Sequence, residues 1–250
     1  MGNIPIRGIS LYVEVMGQGY PLLLMHGGPG LDYQTMLPLK PLEDQFTLVF
    51  YDHRCNGRST GAEVTSMTME NLTADADALR QALGFEKWAV LGHSFGGNVA
   101  LEYALRYPQS LSHLILMNTG GDQWWANHNA PEILRKRGFS ANTVEAARRF
   151  FNGQITPSEF LSVNMKFNKA YSYRNNPLDM VKGMLSGHMP KFQPEALIFG
   201  YSKTLMGWTV MDRLGDRLDQ LRHARILVGR LHHRDHVVRM ALLTDHALVA

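Results

Sequence analysis

One cysteine in 250 residues leaves no partner for an intrachain disulfide, so packing rather than cross-linking must hold this chain together. The scarcity also fits a reducing compartment, and the expected location is cytoplasmic. Long apolar runs are missing as well. No stretch approaches the ~20 residues of a membrane-spanning helix, and the first residues have neither a charged start leading into an apolar run nor the Ser or Thr that myristoylation requires at position 6, where Ile6 stands. No membrane partner is expected. Neither sign of charge dominates, with 25 Lys and Arg against 22 Asp and Glu. The largest basic cluster is Arg135-Lys136-Arg137, which suits a solvated helix face and excludes the basic stripe of a nucleic-acid-binding module. What is present is 45% hydrophobic residues, enough to bury the core of one α/β unit of this length.

The most informative segment is Gly92-His93-Ser94-Phe95-Gly96-Gly97, set between the apolar run Trp88 to Leu91 and a helical pattern from Asn98 to Tyr107. A strand that feeds straight into a helix forces the connecting residue into a strained backbone conformation, and small neighbours on either side let the chain pass without a Cβ clash. Ser94 is therefore the expected nucleophile, standing alone on its elbow. A serine needs a base to take its proton and fixed donors for the negative charge that builds on the attacked oxygen. A second buried strand, Pro21 to Met25, runs into His26-Gly27-Gly28-Pro29-Gly30, whose glycines let backbone N–H groups approach a substrate. Gly28 and Phe95 N–H are the expected oxyanion donors. His26, at a strand end, is expected to bond local backbone.

A third strand, Phe46 to Tyr51, ends in Asp52-His53-Arg54-Cys55-Asn56-Gly57-Arg58-Ser59. The three loops, in this order and spacing over about residues 9 to 230, closely resemble the α/β-hydrolase superfamily and its proline-iminopeptidase-like branch. The resemblance implies a mostly parallel sheet with helices on both faces, an inserted helical cap, no cofactor, and cleavage of an ester or amide of a small molecule through an acyl-enzyme on Ser94. It also implies that the loop of Asp52 and Arg54 braces the site, and it departs from the family at Cys55, where glycine is usual. The alternative reading is a hydrolase-like binding protein without a working base. Glu132, Glu145, Glu159 and Glu195 are candidates for holding a substrate amine, and no spacing singles one out.

Ser10 to Val15 alternates as a strand, and Gly17-Gln18-Gly19 is expected to turn it back as a hairpin onto the strand at 21 to 25. Residues 71 to 83 read as an Asn-led helix closed by Gly84, and Leu111 to Met117 as a further strand. From Gly120 the strand signal vanishes, which divides the chain into a core of residues 1–119 and 206–250 and a helical cap of 120–205. Trp124 and Trp125 are the candidate pocket residues of that cap, with Phe150, Phe151, Met180 and Met184 fitting its own core as well.

The end of the chain breaks the pattern. Arg225 to Arg230 reads as the strand after which the superfamily places its catalytic aspartate, and Leu231 and His232 stand there instead. A parallel crossover takes a dozen or more residues, so Val237 to Leu243 cannot be the customary last strand. The tail also holds five of the eleven histidines, at 223, 232, 233, 236 and 246, which points to a truncated or frame-altered terminus. His246 as base and Asp235 as acid are the remaining candidates for a triad, with His233 and Asp122 behind them. Clustered tail histidines bind metals adventitiously, and no metal site is expected.

Overall fold

The computed structural model describes residues 2–167, 170, 190–217, 225–231 and 238–243. Its strands are β1 (Asn3–Ile6), β2 (Ile9–Met16), β3 (Tyr20–Met25), β4 (Phe46–Tyr51), β5 (Trp88–His93), β6 (Leu111–Met117), β7 (Arg225–Leu231) and β8 (Val238–Leu243). They form one sheet in the order β1-β2-β4-β3-β5-β6-β7-β8. Neighbours from β4 to β7 are parallel, whereas β1 with β2, β2 with β4, and β7 with β8 are antiparallel. The central strands are continuous apolar runs because both faces are covered: Leu22 to Met25, Leu48 to Tyr51 and Trp88 to Leu91 are all buried.

The hairpin expected between β2 and β3 does not form. β4 lies between them, with Leu22 opposite Leu48 and Val13 opposite Tyr51. Gly17 and Gly19 instead pass under the start of β4, where a Cβ on either would come within 2.4 Å of the carbonyl oxygens of Glu43, Gln45 or Phe46. Alternation identifies a strand and glycines identify a turn, but neither says which strand is the neighbour.

Helix α1 spans Met69–Ala82, two residues ahead of the expected start, because Thr68 rather than Asn71 is the N-cap: its hydroxyl accepts from Asn71 N–H. Gly84 then follows in the left-handed conformation at φ 75°. Helix α2, Phe95–Arg106, starts directly after Ser94 and covers the sheet with Phe95, Val99, Leu101 and Tyr103. Among the described residues, everything between β6 and Met211 is helical or irregular apart from a single bridge between Asp122 and Thr209. Helices α3 (Gln123–Lys136), α4 (Ala141–Phe151) and α5 (Phe160–Phe167) are followed by a short helix at Pro194–Phe199 and a π-helical turn at Gly200–Thr204. Gln123 N–H to the Trp208 carbonyl and Val210 N–H to the Gly121 carbonyl join the two ends of this segment. Helix Met211–Arg217 leads on towards β7. The strand after β7 is antiparallel to it, as the short interval between the two requires.

Candidate active site

Four loops meet at the carboxyl edge of the parallel strands, and small residues are the reason they can. A Cβ at Gly96 would lie 2.1 Å from the Met25 carbonyl oxygen, and one at Gly92 would lie 2.4 Å from the Gly96 carbonyl oxygen. α2 therefore seats its first turn directly on the ends of β3 and β5. Ser94, between β5 and α2, sits at φ 51° and ψ −118°, a conformation that costs a side-chain-bearing residue on the order of 1–3 kcal/mol. Its carbonyl is fixed by Gly97 N–H, Asn98 N–H and the Thr119 hydroxyl, and its own N–H reaches the Met117 carbonyl. The Ser94 hydroxyl has no hydrogen-bond partner among the described residues.

The loop after β3 lies against this elbow. A Cβ on Gly27 would come 3.1 Å from Ser94 Cβ and 2.6 Å from His93 Nδ1, so only glycine allows the approach. Gly28 and Gly30 are both left-handed, at φ 68° and 88°. Neither Gly28 N–H nor Phe95 N–H has an acceptor among the described residues, and Phe95 N–H belongs to the open first turn of a twelve-residue helix. Both donors are unspent, one next to Ser94 in the chain and the other a single residue beyond Gly27, which meets the serine.

The loop is held from beneath by two histidines. His26 pairs through Nδ1 with the Gly27 carbonyl at 3.1 Å, and its Nε2 accepts the His53 N–H at 3.2 Å. Burial pushes His26 down to a pKa of about 4 and His53 well below the usual imidazole range, so both are neutral. The Tyr51 hydroxyl meets His53 Nδ1 at 2.9 Å, while His53 Nε2 has no partner among the described residues. His93 is also depressed by burial.

The third loop braces. Asp52 accepts from Tyr33 N–H at 2.8 Å and Arg58 N–H at 2.6 Å, and burial, outweighing these bonds, raises it to about 6. Arg54 grips buried Asp75 with two hydrogen bonds, at 2.6 and 2.8 Å. Cys55 stands at φ 63°, the left-handed region in which glycine is at ease, which accounts for the residue usual there. Sequence reasoning passed over two further groups. Asn56 accepts Gly30 N–H, and buried Asp32 takes Arg58 at 3.1 Å and Lys191 N–H at 2.9 Å. With Gln193 N–H on the Gly30 carbonyl at 2.7 Å, they tie the fourth loop, returning from the helical segment, to the glycine loop. Only the Asp ahead of the Tyr33–Asp44 turn hinted at this, as an N-cap.

Of the remaining candidates, Trp124 is 59% exposed and stacks on His128 at 4.1 Å. The side chain of Trp125 lies outside the description, as do Met180, Met184, His233, Asp235 and His246. Phe150 and Phe151 pack with Tyr201 inside the helical segment. Asp122 accepts from Trp124 N–H at the start of α3. Among the described residues, no helix is long and apolar enough to cross a membrane, and no group of His, Cys, Asp or Glu is placed to hold a metal ion.

A family model described as the alpha/beta hydrolase fold matches residues 20–215. The proline iminopeptidase of Xylella fastidiosa is 38% identical over 109 residues, 42% of this chain and 35% of that protein. The proline iminopeptidase of Saccharolobus solfataricus is 38% identical over 117 residues, 44% of this chain and 38% of its own. The chain thus spans little more than a third of the length of these curated relatives. Among solved structures, the proline iminopeptidase of Mycobacterium smegmatis superposes with a TM-score of 0.66 at 25% identity, covering 90% of this chain and 79% of that one.

Proposed function

Because the chain belongs to the α/β-hydrolase fold family, we propose that it is a serine hydrolase cleaving an ester or amide of a small substrate, with Ser94 as nucleophile. The observation that carries this reading is the strained backbone of Ser94 against the glycine loop, with the Gly28 and Phe95 N–H groups unspent. The Ser94 oxygen attacks the carbonyl carbon as its proton passes to a base, and the tetrahedral oxyanion rests on Gly28 and Phe95 N–H. Collapse expels the alcohol or amine with that proton and leaves an ester on Ser94, which water hydrolyses through the same base. The three described histidines beside the elbow are depressed by burial, which favours a base from the residues after β7, with His246 as the candidate base and Asp235 as the acid beside it. Likeness to proline iminopeptidases supports an amide with a free amine as one substrate class, and an ester fits the same groups.

The antiparallel β8 favours the second reading, a hydrolase-like binding protein, because the chain turns straight back where the family would supply its acid and base. A fluorophosphonate distinguishes the two. Stoichiometric addition of its mass to the intact protein, lost in Ser94→Ala, is the expected result. A folded protein that takes up no adduct would sink the enzyme reading, since an elbow without a base keeps only roughly a thousandfold over water.

A further inference from the structure

A cleft of about 360 Å³ opens between α2, the start of α1 and the turn that returns from the helical segment, well away from the serine. Arg106, on its wall, is twelve residues along α2 from Ser94, about 18 Å at 1.5 Å per residue. Its charges do not balance: Arg106, Lys203 and Arg213 face one carboxylate, Glu102. That carboxylate is already saturated. Its oxygens take Arg106 Nε at 2.7 Å, two Arg213 nitrogens at 2.9 and 2.8 Å, and Trp208 Nε1 at 3.1 Å. Burial pushes Glu102 up, yet these donors outweigh it and hold its pKa at about 2. Lys203 is exposed and has no ion-pair partner among the described residues, and the terminal nitrogens of Arg106 have no acceptor there.

The rest of the lining is mixed: Met69, Phe199, Met206 and Trp208 make one apolar, pliant side, and Thr68 and Thr204 add hydroxyls, with fully buried Met67 behind them. Methionine walls adapt to a flexible apolar body, and a cleft of this size is at the small end of organic-ligand sites while far too large for an inorganic ion. Lys203 is delivered by the π-helical turn Gly200–Thr204, a local distortion that is frequent at functional sites. We propose that this cleft is a binding site for a small organic anion with an apolar body, of the medium-chain carboxylate class, its carboxylate on Lys203 and Arg106 and its chain along the methionines. The site is separate from the chemistry at Ser94 and stands whether or not the serine is active.

Octanoate is the probe and 1-octanol its uncharged control, titrated into the full chain carrying ¹³C-methyl methionine. The expected result is saturable movement of the Met69 and Met206 methyl signals by octanoate, with octanol about tenfold weaker. Lys203→Gln, an exposed change that leaves the thermal unfolding curve in place, should weaken octanoate about tenfold, and Arg106→Gln should act in the same direction. Equal affinity for octanol overturns the anion assignment. Octanoate affinity untouched by Lys203→Gln, movement confined to other methionines, or no saturation by about 10 mM overturns the site.

Discussion

At the scale of single residues, the site is held by groups that do no chemistry, and their protonation is visible in stability. His26 is buried and neutral, with both ring nitrogens engaged under the glycine loop. Its folded pKa of about 4 lies below the ordinary 6.5, so the unfolded chain binds the proton first. The stability it lends is full above pH 6.5 and is lost as pH falls from there towards 4. At pH 5 the loss is about 2 kcal/mol, from 1.36 kcal/mol per unit of pKa difference. Asp52, raised to about 6 by burial, works the other way: its contribution is full below pH 3.8 and is lost as pH rises through 6. A comparison of wild type with His26→Gln separates the two. Urea midpoints should show the variant losing about 2 kcal/mol less than wild type between pH 7 and pH 5, and parallel profiles would mean that His26 is not the titrating group.

At the scale of elements, the seating of α2 on β3 sets two opposing effects against each other. Alanine is the better helix former by about 1 kcal/mol, so an exposed Gly→Ala change in a helix stabilises. At Gly96 the added methyl would meet the Met25 and His26 carbonyl oxygens at 2.1 and 2.5 Å, and backbone cannot swing aside as a side-chain tip can. Gly96→Ala is therefore expected to destabilise by about 3 kcal/mol in urea unfolding, and a gain in stability would refute the close seating. This is also where the sequence was most legible. Gly-x-Ser-x-Gly-Gly between an apolar run and a helical pattern marks a strand, a turn and a helix through local sterics alone, and β4 and β6 span the residues the sequence assigns them. Helix starts were less legible, since Asn71 is on paper the better cap, yet Thr68 takes that place by accepting from Asn71 N–H. Strand partnership was not legible at all for β2, because pairing is a property of the whole sheet.

At the scale of the whole molecule, parallel order brings residues 27–30, 52–59 and 94–96 to one edge despite their separation in sequence. The ties from Asp32 and Gly30 to Lys191 and Gln193 were hidden because backbone donors carry no residue signature. A second long-range tie lies farther down α2. Glu102, 1% exposed, holds Arg213 across 111 residues and so fastens the segment returning from the helices to the core. Arg106 binds the same carboxylate from one turn away. The two arginines look equivalent and are not. Removing Arg213 takes two charge-assisted hydrogen bonds, one from each oxygen of buried Glu102, leaves Arg106 on one oxygen and Trp208 on the other, and unlocks the return segment, at about 2 kcal/mol. Removing Arg106 leaves both oxygens occupied by Arg213 and Trp208 and deletes only a local helix pair that is partly exposed to water, worth under about 1 kcal/mol. Urea unfolding of Arg213→Ala and Arg106→Ala should separate by about 1 kcal/mol or more, with Arg213→Ala the weaker protein, because it loses two hydrogen bonds and a long-range tie where Arg106→Ala loses one within its own helix. Equal losses would mean that Glu102 anchors nothing beyond its own helix.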